Sequence, residues 1–504
     1  MANTLYDALF APLSGRRTPF LILPDGRAIT GDAFLRMVHR AAHAMRAAGV
    51  GVGDRVTVQA AKTPEALALY GAAVAAGAVF LPLNTAYTPA EVDYFVGNAT
   101  PKLLIADPAQ AEALAPIAAA HGARLMTLDA TGKGSFADLA EGQPDAFTPA
   151  ERGPGDLAGL LYTSGTTGRS KGAMMSHRNL LSNAEVLVDL WRFTRDDVLL
   201  HALPIFHTHG LFVATNTLLL GGGAMIFLPG FDLDTVLRLM PQATAMMGVP
   251  TFYTRLLDDA RFTRDAAAGM RLFISGSAPL LAETHNAFAA RTGHRILERY
   301  GMTETNMITS NPHDGDRRAG TVGAPLPGVE VKVTDPATGA ALPAGEVGMV
   351  EVRGPNVFQG YWQMPEKTKE ELRPDGFFIT GDLGRFSEDG YLTIVGRQKD
   401  LVITGGFNVY PKEVELVLDD QPGVLESAVI GVPHPDFGEA VLAVIVPEKG
   451  AAPDLAAIDA ALRATLARFK QPKAIELVPA LPRNTMGKVQ KNELRARYAA
   501  RFTG

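Results

Sequence analysis

The sequence contains no cysteine. That excludes disulfides, thiolate metal ligands and a thiol nucleophile, and it suits a reducing compartment. A large excess of one sign of charge is also lacking. The formal net charge of −6 over 504 residues leaves no nucleic-acid footprint, though a locally basic mouth for an anionic ligand stays compatible with it. The N-terminus, MANTLYDALFAPLSGRRTPF, lacks the charged stretch and apolar run of a secretory signal. The longest apolar run, YGAAVAAGAVFLPL (70–83), falls short of the roughly 20 residues a membrane helix needs. There is no internal repeat and no low-complexity linker. These absences lead to the expectation of a soluble, cytoplasmic protein that engages neither nucleic acid nor membrane.

What is present is an ordinary globular composition, 47% hydrophobic and 20% charged, in a chain long enough for two to four domains. The first half alternates helical and strand patterns. AFLRMVHRAAHAMRAAGV (33–50) is amphipathic at helical period, DRVTVQA (54–60) is a β-branched run, and TPEALALYGAAVAAGA (63–78) is again helical. VFLPLN, KLLIAD and RLMTLD add strands. The fold class expected is α/β, a layered N-terminal region with largely parallel sheets. Residues 321–395 differ, being rich in Gly and Pro with short strands such as VEVKVTD and GMVEVRG, and read as a small β-rich subdomain. A compact α+β unit of about a hundred residues follows, within the size of an independent domain. The boundary is placed at 398/399, giving domains 1–398 and 399–504.

LLYTSGTTGRSKG (160–172) carries the strongest chemical signal. An apolar strand enters it, and Thr163, Ser164, Gly165, Thr166, Thr167, Gly168 and Lys171 then crowd hydroxyls, glycines and a lysine together. Glycines let backbone N–H groups turn toward an anion, hydroxyls add donors and the lysine adds charge, which suits phosphate. The Walker spacing G-x-x-x-x-G-K-[ST] is absent. LPIFHTHGLF (203–212) places His207 and His209 two residues apart, but no third ligand lies nearby to argue for a metal. Near the C-terminus, NTMGK (484–488) puts Lys488 after a turn-forming run, where a solvated basic tail helix is the plainer reading.

The loop resembles the phosphate-binding signature of acyl-adenylate-forming enzymes, the acyl-CoA and aryl-CoA synthetases related to luciferases and peptide-synthetase adenylation domains. GSAPL (276–280), YGMTE (300–304), FFITGD (377–382), GRQKDLVITGGFNVYP (396–411) and NTMGK (484–488) resemble that family's other signatures, in order. The resemblance implies a ligase using ATP, Mg²⁺ and coenzyme A, with a mobile C-terminal domain. It implies that Thr163 to Lys171 hold the β- and γ-phosphates, that Thr303 meets the α-phosphate and that Glu304 helps hold Mg²⁺. Gly276, Ala278 and Pro279 would line the adenine, with Tyr300 stacking on it and Gly301 and Met302 beside it. Asp382 would take the ribose hydroxyls with support from Arg397. Lys399 falls at the hinge position, Gly405 and Gly406 would leave space for the pantetheine arm, and Lys488 becomes the catalytic lysine. His207 would line the acyl pocket; His209 stays open.

Arg255, Arg299 and Ser277 bear on the acid. Guanidinium groups beside an acyl pocket fit a substrate with a second carboxylate, because arginine pairs carboxylate in a planar, bidentate way. Arg255 could equally pair with Asp258 or Asp259 at i+3 and i+4, and Arg299 with a distant acid. The surrounding sequence resembles the malonyl-CoA synthetase branch, which implies malonate or methylmalonate as the acid. Fatty acyl-CoA or aryl-CoA ligation and a non-catalytic nucleotide-binding regulator are the alternatives. If Lys488 is exposed for part of a cycle, it is also an expected target of a lysine acetyltransferase and deacetylase, since acetylation would remove its charge.

Overall fold

The computed structural model describes residues 2–163, 170–404, 407–484 and 487–502. The α/β alternation read from the first half is present, with element ends within a few residues of the expected ones. The helix Pro64–Ala76 shows why. Thr63 caps it by accepting from the Ala66 N–H, a proline fills its first turn, and Gly77 closes it in the left-handed region. Residues 66–76 of that helix are buried on every side, so its apolar run fills a core and spans no membrane. Among the described residues no helix is long and apolar enough to cross one.

Two large sheets carry the first compact unit, Met1–Glu330 with Val352–Phe378. Counted over the described residues, one sheet has six strands, running from Arg124–Thr127 through Leu103–Ala106, Arg55–Gln59, Val79–Pro82 and Leu157–Thr163 to Lys171–Ser176. Its pairings are parallel except the last. The other has nine, and its middle is parallel from Pro19–Ile22 through Ala224–Phe227, Val198–His201, Ala245–Gly248 and Leu272–Ser275 to Leu297–Met302. Ligands in such sheets bind outside the carboxyl ends of parallel strands, and the chemistry-bearing stretches of this unit follow those ends.

The second unit is Val331–Glu351 with Ile379–Gly504. The β-rich stretch forms a four-stranded sheet in the order Glu330–Thr334, Gly348–Arg353, Phe378–Phe386, Leu392–Arg397, the last two paired antiparallel. The part of the Gly/Pro-rich region that belongs to the first unit holds one short helix, Pro365–Glu371, hidden from the strand reading by its charged sequence PEKTKEE. Further on, Val424–His434 and Gly438–Pro447 make a long antiparallel pair over the helices Pro411–Asp419 and Leu455–Thr465. Val414, Leu418, Val429, Val441, Ile445 and Leu462 form its core.

Candidate active site

Strands Leu157–Thr163 and Lys171–Ser176 form a hairpin with Thr163 opposite Lys171. Of the phosphate-loop residues named from the sequence, Ser164, Gly165, Thr166, Thr167 and Gly168 lie outside the described residues. Lys171 is buried, and its ammonium donates to Glu371 Oε1 at 2.9 Å and Oε2 at 3.0 Å and to the Tyr361 hydroxyl at 3.1 Å. That hydroxyl lies 2.6 Å from Glu371 Oε2 and 3.0 Å from Glu304 Oε1, and its single proton serves one carboxylate at a time. Thr163 Oγ1 reaches the same Glu304 oxygen at 3.5 Å. Burial, then the charge of Glu304, pushes the Tyr361 phenol well up, so it remains a donor. Burial works to raise the Glu371 carboxyl, but hydrogen bonds from Tyr361 and Lys171 outweigh it and leave its pKa below the ordinary value.

Glu304 sits in the turn after strand Leu297–Met302, next to the half-buried Thr303, and its carbonyl accepts from the Phe358 N–H at 2.8 Å. Among the described residues no group of three His, Asp or Glu could hold a metal by itself. The single carboxylate of Glu304 suits Mg²⁺, which is usually held by one or two carboxylates together with substrate phosphates. Tyr361 and Glu371 were missed in the sequence. They lie about 190 and 200 residues from Lys171, and no local spacing connects them to it.

On the acid side, strand Leu272–Ser275 runs into Gly276 and Ser277, and Ser277 takes a left-handed φ of 72°, uncommon outside glycine. Gly276 makes room for Arg299: a Cβ there would stand 2.3 Å from the guanidinium carbon. Arg299 is 3% exposed, and its Nε and Nη2 have no hydrogen-bond partner. Burial lowers its pKa to about 9, against the opposing influence of Tyr253 and Glu298. His209 shares its Nδ1 with the Ser277 hydroxyl at 3.1 Å, while its buried Nε2 has no partner. Burial, reinforced by the neighbouring charge of Arg299, holds the His209 ring neutral. The half-buried His207 accepts from the His209 N–H through Nδ1 at 3.3 Å. The structure therefore brings Ser277, Arg299, His209 and His207 together. Arg255 stands apart, exposed on the helix Pro250–Leu257. Tyr300, Gly301, Met302 and Ala278 are half-buried and Pro279 is exposed.

The second unit holds the other named residues. Asp382 and Arg397 face each other across the strand pair, with Nε to Oδ1 at 3.0 Å. Lys399 is exposed on the short turn Gln398–Asp400, and Gly405 and Gly406 lie outside the described residues. Lys488 is not in a loose tail. Arg483 bridges to Val489, the Asn484 N–H donates to the Lys488 carbonyl at 2.9 Å, and Asn484 Oδ1 accepts from the Lys488 N–H at 2.9 Å. The helix Lys491–Tyr498 that follows is anchored by Lys491 to Glu415 at 2.5 Å and by Arg495 to Asp400 at 2.6 Å. Burial, with Arg397 and Lys399 nearby, lowers the Lys488 pKa to about 8 although Asp382 and Asp400 oppose the shift.

Known proteins share this fold. The AMP-binding enzyme family matches residues 14–362, and the AMP-binding enzyme C-terminal domain matches residues 413–488. The crystal structure of ATP-bound MatB from Rhodopseudomonas palustris is 58% identical, covers 100% of both chains and superposes with a TM-score of 0.98. A malonate–CoA ligase of Arabidopsis thaliana is 36% identical over 88% of this chain and 78% of its own length. A feruloyl-CoA synthase of an Amycolatopsis species is 38% identical over 94% of each.

Proposed function

Because the chain belongs to the AMP-binding enzyme family, we propose that it is an AMP-forming acid–CoA ligase whose acid is malonate. One observation supports the dicarboxylate most directly. Arg299 keeps two unpartnered nitrogens in a buried site beside Ser277 and His209, where an apolar acyl chain would leave its charge uncompensated. Ferulate, the acid in the name of the Amycolatopsis relative, has no second carboxylate to meet such a charge. Methylmalonate carries the same second carboxylate and is the natural second substrate.

In the reaction, one malonate carboxylate attacks the α-phosphorus of ATP and expels pyrophosphate, giving malonyl-AMP. The CoA thiol then attacks the acyl carbonyl, and AMP leaves. Most of the first step is positioning and charge neutralisation. Thr163 to Lys171 are proposed to hold the β- and γ-phosphates and Thr303 the α-phosphate. Glu304, oriented by Tyr361 and Thr163, is the carboxylate that would hold Mg²⁺. The metal supplies charge neutralisation on the phosphates. Ser277, His207 and Arg299 orient the acid, and Gly276, Ala278, Pro279, Tyr300, Gly301 and Met302 face the nucleotide in this assignment. Asp382, held by Arg397, is suited to the ribose hydroxyls. Lys488 offsets the repulsion between carboxylate and phosphate as they approach.

Lys399 is assigned the hinge between domains 1–398 and 399–504, and Gly405 and Gly406 the pantetheine path. A cytoplasmic location and control by acetylation of Lys488 complete the proposal; mass spectrometry of protein from its native cells tests the modification. The reaction itself is tested by its nucleotide products. Malonate, ATP, Mg²⁺ and CoA should give AMP, pyrophosphate and malonyl-CoA in equal amounts. ADP and phosphate as products would remove the assignment.

A further inference from the structure

Lys62 follows the C-terminal end of strand Arg55–Gln59 and immediately precedes the cap of helix Pro64–Ala76. From the six-stranded sheet its ammonium reaches the end of strand Val198–His201 in the nine-stranded one. It donates to His201 Nδ1 at 2.9 Å, to the His201 carbonyl at 2.8 Å and to the Leu203 carbonyl at 2.8 Å. Three acceptors match the three N–H bonds of an ammonium. The ring of Phe227 lies 4.5 Å away, and among the described residues no carboxylate pairs with the lysine. Burial pushes its pKa well below the ordinary lysine value.

The far side of His201 fixes its tautomer. Nε2 lies 2.8 Å from the Gly210 carbonyl, which only accepts, so Nε2 carries the proton and Nδ1 presents its lone pair to Lys62. Thr215 Oγ1 donates to the same carbonyl at 2.9 Å. Lys62 and His201 thus tie both ends of the segment 201–210. The segment folds tightly on itself: a Cβ on Gly210 would stand 2.1 Å from the Pro204 carbonyl oxygen. It then runs into the π-helix His209–Thr215, a form rare outside functional sites. Within it lie His207 and His209, Thr208 Oγ1 donates to Asn306 Oδ1 at 2.7 Å, and His209 meets Ser277. An apolar side chain could fill this space without desolvating a charge. What the ammonium adds is three directed bonds to one loop.

We propose that Lys62 is a positioning residue for acid selection, holding with His201 the loop that sets His207 and His209 against Ser277 and Arg299. The inference rests on the assignment of those four residues to the acid, and its test separates the two. Malonate and ATP KM, and the malonate-to-acetate ratio of kcat/KM, are measured for Lys62→Met, His201→Gln and Arg299→Met in pyrophosphate release. Lys62→Met should raise the malonate KM at least tenfold, leave the ATP KM within twofold and narrow the malonate-to-acetate ratio at least tenfold. His201→Gln, whose amide oxygen and nitrogen share one carbon and so do not reproduce the opposed ring nitrogens that meet Lys62 and Gly210, should move the same parameters in the same direction. It decides the matter if Lys62→Met does not fold. An unchanged malonate KM in the folded variants, with Arg299→Met impaired on malonate, would overturn the role of Lys62 and leave the acid site standing. A fall in kcat with both KM values rising together would also overturn it, as the mark of general loosening. Arg299→Met indistinguishable from wild type would instead remove the acid site on which the inference rests.

Discussion

Lys171 and Arg299 are both buried cations in the same unit, and their surroundings are opposite. Lys171 is saturated, with both oxygens of Glu371 and the Tyr361 hydroxyl on its ammonium. Arg299 lies under Gly276 with two nitrogens unpartnered and a neutral histidine, His209, for a neighbour. A buried ion pair with its partner in place holds architecture; a buried cation without one is costly unless an anion arrives. We therefore propose that Lys171, at the end of the phosphate loop, also orients Glu304 through Tyr361, and that Arg299 recognises the acid. A third cation, Lys488, sits between these extremes, half-buried among Asp382, Asp400, Arg397 and Lys399.

Two large effects of similar size are expected, and the first is at this third cation. Lys488→Ala should slow malonyl-AMP formation by about 10²–10³, the scale of losing one preorganised electrostatic contact at a reacting oxyanion. Conversion of supplied malonyl-AMP and CoA to thioester should stay within a few fold, since it does not require that charge. Equal loss of both half-reactions with the fold intact by circular dichroism would contradict the role. The same lysine predicts a pH signature. Its pKa is lowered from 10.5 to about 8, so above pH 8 the ammonium is lost and kcat/KM for adenylation falls. Stability has the opposite sign: between pH 8 and 10.5 the unfolded chain binds more protons at this group, so its contribution to stability rises with pH. A Lys488→Met variant should lose that rise in urea titrations across the window.

Arg299→Met comes next and breaks the comparison most cleanly. Malonate should lose about 3–5 kcal/mol of transition-state binding, the usual effect of leaving one member of a desolvated pair alone. Acetate, with no second carboxylate, should lose little. A parallel loss for both acids would place Arg299 with Lys171 in the scaffold. Tyr361→Phe sharpens the other side. Removing a bond to a charged group costs about 1.5–3 kcal/mol, and it should appear in the ATP and Mg²⁺ dependence for every acid alike. A Tyr361→Phe effect confined to malonate would undo the division. Arg255→Met should cost least, within about 1 kcal/mol, because an exposed arginine is screened by water. A loss on malonate as large as that of Arg299→Met would give Arg255 the same part in acid binding.

The two sides of this comparison were not equally legible in the sequence. The strand entering the phosphate loop, the capped helix Pro64–Ala76 and the order of the signatures are local patterns, and local patterns survive in a single sequence. Ser277 and Arg299 could be named as a pair, but their neighbour Gly276 read as part of a nucleotide motif and gave no hint that it clears space for the guanidinium. Arg255 looked equivalent to Arg299 because both are arginines near expected pocket segments; only burial separates them. Tyr361, Glu371, Lys62 and His201 were not legible. Each acts through a contact more than a hundred residues away, and nothing at either end marks the partner. Taken alone, the Lys488 stretch reads as a solvated tail because Lys491, Arg495, Arg497 and Arg501 outnumber Glu493, and only the ordered signatures give it a role; the acids that anchor it, Glu415 and Asp400, come to it through the fold.

The central proposal is that this AMP-forming ligase selects a dicarboxylate through a buried arginine with two nitrogens left without hydrogen-bond partners. The most direct measurement is pyrophosphate release by the wild-type enzyme across malonate, methylmalonate, acetate, butyrate, octanoate, benzoate and ferulate, each with ATP, Mg²⁺ and CoA. The account predicts kcat/KM for malonate at least a hundredfold above every monocarboxylate, with methylmalonate the nearest to it. A monocarboxylate matching malonate would contradict it.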